Sequence, residues 1–301
     1  MSLRGALLCG LSALGLAAAG CGSAATSDDR GERSDRLVDF TKPPPYVNAL
    51  EVDPASDEFL LTTNRGFFRI ARKTGRVRTV RGQISAGGRR ATVGTFLELA
   101  LERPGRLIGS GHPDREGALP AFLGFIRSDD GGRTWRVVSR LGDADLHKIV
   151  LKHGRMYAFD AVLSALLVSR DGGRTFTEQF TPRGLIIDFE VDPADPARIV
   201  ASTEDQLFRS RDAGRSWRPI DRRPGIRLAW PAPDTLLRAL KDGTVQTSAD
   251  GGDTWNPVGR VPGEPYKFKT ISRDELYLAL SDGTIMHTRD GAANWTAAFE
   301  P

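Results

Sequence analysis

The chain has 301 residues, 40% of them hydrophobic, enough for one large all-β domain or two ordinary ones. Its 42 basic and 38 acidic residues leave a formal charge of +4, with the two signs interspersed along most segments. Without a basic stripe or interleaved aromatics, the sequence pI near 9.3 describes a solvated charged surface and argues against nucleic acid as a partner.

The N-terminus carries Arg4, an apolar run from Ala6 to Ala19, and then Gly20-Cys21. This pattern predicts a secretory signal over residues 1–20, because an apolar core of about 14 residues falls short of the roughly 20 that span a bilayer. Ala18-Ala19-Gly20-Cys21 resembles a bacterial lipobox, with Ala18 in the place usually held by Leu. The resemblance implies that Cys21 is lipidated and becomes the new N-terminus, making the membrane a partner. It would place the protein on the outer face of the cytoplasmic membrane or elsewhere in the cell envelope. Cysteine usage fits, since Cys9 lies in the segment to be removed and no cysteine follows Cys21. Residues 21–43 are rich in Ser, Asp and Arg and read as a flexible tether. Prolines 43–45 then stiffen the entry to a domain expected over 44–301.

Within that domain one motif recurs: SDDGGRTW from Ser128, SRDGGRTF from Ser169, SRDAGRSW from Ser210, SADGGDTW from Ser248 and TRDGAANW from Thr288. Successive starts differ by 41, 41, 38 and 40 residues. A decayed copy, GFFRIARKTGRVR from Gly66, keeps Gly75 but has Lys73 in place of the aspartate; the 57-residue gap from Ala71 to Ser128 predicts an insertion in the second unit. Short alternating segments surround each box, as in LIIDFEVDP, ARIVAST, QLFRS and WRPI. Four strands per unit of about forty residues make the blade of a β-propeller. The expectation is therefore an all-β, six-bladed propeller of four-stranded antiparallel blades, near 46–82, 91–139, 145–181, 186–221, 226–259 and 265–300. A seventh blade borrowing RLVDF is the alternative, and the domain is expected to be monomeric.

The boxes resemble the Asp-box, or BNR, repeat found in sialidases, sortilin-type receptors, photosystem assembly factors and many exported bacterial propellers. The resemblance covers roughly Tyr46 to Glu300. It implies that each box is the turn between the third and fourth strands of a blade, on the face opposite the usual active site. Elementary chemistry agrees: Ser and Asp side chains can bond nearby amides, and the glycines accept positive φ. Asp130, Asp171, Asp212, Asp250 and Asp290 are thus expected to clamp turns. Trp135, Phe176, Trp217, Trp255 and Trp295 are expected to pack between blades.

Function should collect at the other face, where the letters do not repeat. Aligning the units puts Ala49, His147, Asp188, Arg227 and Lys267 at approximately equivalent first-strand positions, with Tyr46 and Tyr266 just before such strands. The insertion GSGHPDREGALPAFLGF should overhang the same face and offers His112, Asp114, Arg115 and Glu116. These residues are the ligand-binding candidates; no cofactor or metal is expected, as the histidines lack zinc-like spacing. Stretches such as LIGSGHPD, LGFIRSDDGGRTW and GDADLHKI resemble exported propeller lipoproteins labelled glycosyl hydrolases. Members of that group commonly begin the first blade with His-x-His-Gly, whereas Tyr46-Val47-Asn48-Ala49 stands here. Phe68-Arg69-Ile70 invites comparison with a sialidase motif, but Ala71 replaces its Pro and the same strand recurs as Leu207-Phe208-Arg209. The leading expectation is an anchored propeller that binds a carbohydrate or protein partner without catalysis. A sialidase-like glycoside hydrolase and an assembly factor for a membrane complex are the alternatives.

Overall fold

The computed structural model describes residues 46–115, 119–223 and 227–301; the signal segment, Cys21, the tether and Glu116 lie outside them. Blade 1 comprises β1 Val47–Asp53, β2 Glu58–Thr63, β3 Gly66–Ala71 and β4 Val77–Val80. A hairpin follows, β5 Gly82–Ala86 and β6 Arg89–Val93, and then blade 2 with β7 Leu97–Arg103, β8 Arg106–Gly111, β9 Phe125–Ser128 and β10 Thr134–Ser139. Blade 3 holds β11 Leu146–Lys152, β12 Arg155–Asp160, β13 Ala165–Ser169 and β14 Thr177–Gln179. Blade 4 holds β15 Ile186–Val191, β16 Ile199–Thr203, β17 Leu207–Ser210 and β18 Arg218–Asp221. Blade 5 runs through β19 Arg227–Ala232, β20 Thr235–Ala239, β21 Thr244–Ser248 and β22 Asn256–Arg260. Blade 6 ends the chain with β23 Pro265–Thr270, β24 Leu276–Leu280, β25 Ile285–Thr288 and β26 Thr296–Phe299.

The expected all-β propeller of six antiparallel blades is therefore the observed fold, each blade ordered first to fourth strand from the inside outward. Six apolar clusters hold it together, one at each blade–blade interface. Strand periodicity explains how one blade serves two interfaces, because successive side chains point to opposite faces. On β2, Leu60 packs toward blade 2 while Phe59 and Leu61 pack toward blade 6. Second strands buried on both faces read as near-continuous apolar runs, LYLAL on β24 being an example.

Blade 2 departs from the expected boundary at residue 91. Residues 82–93 form the β5–β6 hairpin, and β5 pairs in parallel with β10, giving a six-stranded sheet. Ile84, Ala91 and Val93 cover Trp135 and leave it only 4% exposed. Phe176, Trp217, Trp255 and Trp295, with no such hairpin over them, are only half-buried. All five box aromatics pack against a blade–blade cluster, and among them only Trp135 of blade 2 is fully buried.

Each box lies between third and fourth strands and satisfies itself. In blade 3, Ser169 Oγ donates to Asp171 Oδ1 at 2.8 Å and accepts the Gly173 amide at 2.8 Å. Asp171 then accepts the Thr175 amide at 3.0 Å and the Thr175 hydroxyl at 2.6 Å. The same bonds recur around Asp130, Asp212 and Asp250, and around Asp290 with Asn294 in place of the hydroxyl residue. Bonding to the ionised form holds these carboxyls low: Ser216 pulls Asp212 down to about 2, and Asn294 does the same to Asp290.

Candidate functional site

In an antiparallel blade, first-strand entries and second-to-third-strand loops share one end, and the boxes occupy the other. At the loop end a cavity of about 400 Å³ opens on the ring axis, lined by Tyr46, His112, His147, Arg227, Tyr266 and Lys267 among others. Six of the ten candidate ligand residues meet there. A second opening of about 310 Å³ lies at the box end, bounded by Glu51, Lys152, Glu190 and Lys269.

The two openings are separated by charged side chains at one register. Ala49, Glu98, Lys148, Asp188, Arg227 and Lys267 stand opposite Thr62, Ser110, Phe159, Ser202, Ala239 and Ala279 on their second strands. The blade-3 member is Lys148 and not the expected His147. Bulges at Asn48, His147, Ile187 and Tyr266 each add one residue, and such a residue is re-aimed relative to the period-2 pattern. Lys267 Nζ lies 3.1 Å from Glu98 Oε2, and Lys148 Nζ lies 2.8 Å from Asp188 Oδ1. Asp188, 2% exposed, also accepts the Leu228 amide on Oδ2 at 3.0 Å. Burial alone would raise its pKa, but Lys148, Lys267 and Arg227 outweigh burial and hold it below the usual range. For Glu98 burial prevails over Lys267 and pushes the carboxyl up. Lys148 is held above the ordinary lysine range, Asp188 and Glu190 overcoming its burial.

Above this layer, His112 from the loop after β8 and His147 from the β11 bulge converge on Asp145. Their Nε2 atoms lie 3.4 and 2.8 Å from the same Oδ2. Hydrogen bonding to that carboxylate raises both imidazoles, while their bonds overcome the effect of burial on Asp145 and lower it. Across the mouth, the Arg227 guanidinium stacks 4.5 Å over the Tyr266 ring and donates to Ile187 O at 3.3 Å. Tyr46 meets Tyr266 edge-on at 4.8 Å. Burial, then Tyr46, push the Tyr266 phenol well above its ordinary value.

The other candidates have different places. Asp114 accepts the Thr95 amide and hydroxyl at 2.9 and 2.7 Å, pinning the insertion to the entry of β7 beside an adjoining cavity of about 600 Å³. Arg115 is exposed. Asp188 lies in the charged layer beneath the mouth. Arg69 belongs to the blade scaffold, paired with Asp53 at 3.3 Å and Glu58 at 2.9 Å. Among the described residues, no group of His, Cys, Asp and Glu has a metal-binding arrangement.

Sequence reasoning missed Asp145, Glu98 and Phe96. Asp145 was signalled by its i, i+2 relation to His147 in GDADLHKI, which puts both on one side of an extended chain. Glu98 was hidden because the β5–β6 hairpin, which the repeat does not announce, obscured where the first strand of blade 2 begins.

No family model matches the chain. A dispase autolysis-inducing protein of Streptomyces mobaraensis is 31% identical over 124 residues, which is 40% of this chain and 30% of that protein. Solved structures similar to this chain include three propellers. A gluconolactonase from Xanthomonas campestris is 11% identical over 82% of this chain and 86% of its own, with a TM-score of 0.59. A family-74 xyloglucanase from the same species is 19% identical over 84% and 38%, with a TM-score of 0.53. YCF48 from Cyanidioschyzon merolae is 12% identical over 85% and 86%, with a TM-score of 0.51. Identities this low carry fold and not chemistry.

Proposed function

We propose that this protein is an extracytoplasmic, lipid-anchored propeller that binds a partner at its loop-face mouth without turning it over. One observation carries the reading: among the described residues, the carboxylates at the mouth and in the layer beneath it are already engaged. Asp145 serves two imidazoles, Glu98 serves Lys267, and both oxygens of the buried Asp188 are occupied. The two-carboxyl route of glycoside hydrolysis needs both groups positioned on the scissile bond, while the sialidase route, with its tyrosine nucleophile, is left to a turnover measurement. The non-repeating aromatic and cationic residues that remain are the kind that recognise a ligand. The Streptomyces relative, whose name ties it to a protease, favours a protein as that ligand over a sugar.

Two measurements test this. Replacing Cys21 with Ser should move the protein from the membrane to the soluble envelope fraction, and unchanged membrane association sinks the anchor. A broad panel of fluorogenic glycosides should show no turnover. Turnover that disappears in Asp188→Ala while the fold survives would establish the hydrolase instead.

A further inference from the structure

Building on the loop face as a binding surface, we infer that the mouth takes an acidic segment of a partner protein. Its carboxylate would sit on Arg227 and its neighbouring apolar side chains on the rim. Charge comes first. Lys267 and Lys148 each have a carboxylate within 3.1 Å, whereas Arg227 has none within ion-pair distance among the described residues. Asp188 lies below it and acts on it at longer range, its two oxygens being bonded to Lys148 and the Leu228 amide. Among the described residues, the mouth cation left without a carboxylate in contact is therefore a guanidinium, whose planar fork suits a carboxylate. Stacking on Tyr266 fixes its plane.

The rim supplies the second argument. Tyr46, Phe96, Val162, Leu163 and Leu185 are exposed large apolar residues on loop-face segments, and three of them line the mouth. Of the two other exposed large apolar residues, Phe180 follows the outer strand β14 and does not line the mouth, and Ile271, on the loop between β23 and β24, lies at the box end. Phe96 is 52% exposed and held at φ +49°, a conformation unfavourable for a bulky residue. Asp114, through Thr95, pins the segment that presents it. Strain that keeps an aromatic in water at the edge of a cavity is characteristic of a ligand clamp. A cationic centre inside an apolar rim complements an acidic residue flanked by aliphatic or aromatic neighbours, and a cavity of about 400 Å³ admits a few side chains.

Fluorescence polarisation with two labelled peptide pools tests the inference, using the mature chain. One pool carries Leu-Glu-Leu within randomised flanks, and the other carries Leu-Gln-Leu. The Glu pool should bind about tenfold more tightly than the Gln pool. Arg227→Gln should erase that preference, while Arg289→Gln, an exposed change beside a box, should leave it intact. Phe96→Asp, which leaves the ion pairs in place, should weaken the Glu pool. Equal binding of the pools, a preference that survives Arg227→Gln, or no binding of either at about 1 mM overturns the inference. Selective binding of a uronic-acid disaccharide over both pools would assign the mouth to an acidic sugar instead. If the pools bind equally and Phe96→Asp weakens both, only the charge assignment fails. If Phe96→Asp changes nothing, the loop-face reading falls with it.

Discussion

His112 and His147 approach the same carboxylate oxygen of Asp145 from two different elements, so removing that carboxylate changes both rings at once. Both imidazoles are raised above 6.5, so the stability they contribute is fully present below pH 6.5 and lost as pH climbs through their folded values. Asp145 is lowered from 3.8, so its contribution is present above that value and lost as pH falls through its depressed one. The cluster therefore stabilises the mouth most between about pH 4 and 6.5. Asp145→Asn should return both histidines toward 6.5 in NMR titrations and flatten the decline in melting temperature above pH 6.5. Unshifted titrations would show that the carboxylate does not control the rings. His112 and His147 both line the loop-face mouth, His147 from a bulge and not from the channel register the alignment gave it. The sequence could not show that they share a partner, because the loop after β8 and the start of β11 meet only in three dimensions.

At the level of the element, the box is both a turn and a spacer between blades. Gly173 has φ +83°, and a Cβ there would lie 2.2 Å from the Phe125 ring of the preceding blade. At the neighbouring Gly172, φ is +75°, but a Cβ would meet only the flexible end of Arg127 at 3.5 Å. Gly172→Ala should cost about 1 kcal/mol, from backbone strain alone. Gly173→Ala should cost about 3 kcal/mol or more, since a packed ring must also move. Urea unfolding of the two variants checks this, and equal losses would mean that the glycine does not space the blades. Blades 4 and 6 carry natural counterparts. Ala213 stands at the position of Gly172, while Ala292 takes that of Gly173 where the adjoining blade presents Gly259, whose added Cβ would lie 2.1 Å from Ala292 O. The repeat disclosed the turn, but its second role depends on what the adjacent blade places against it.

For the molecule as a whole, the ring closes without a shared strand among the described residues: blade 6 is built from β23 to β26, and blade 1 from β1 to β4. Side chains make the closure. Arg72 of blade 1 donates to the Tyr277 hydroxyl of blade 6 and stacks over its ring at 5.3 Å, and Phe59 meets that ring edge-on at 5.1 Å. Tyr277→Phe keeps the packing but removes the acceptor, and should lower unfolding stability by about 1–3 kcal/mol. An unchanged urea midpoint would place the closing energy in the apolar contacts alone.

The sequence by itself determined the propeller class, with six blades and a seventh left as the alternative, the strand order within each blade, and the face on which the boxes lie. A forty-residue period with alternating polarity is local information, written in every copy. Tertiary structure decided the register at the channel and the composition of the mouth. One bulged residue in β11 exchanges His147 for Lys148 in the charged layer, and the pairing with β12 reveals that bulge. Whether a charge is free or spent depends on side chains contributed by other blades, as with Lys267 on Glu98, which are 169 residues apart. No spacing rule along the chain encodes a contact across a ring, because the distance between those residues is set by how six blades close.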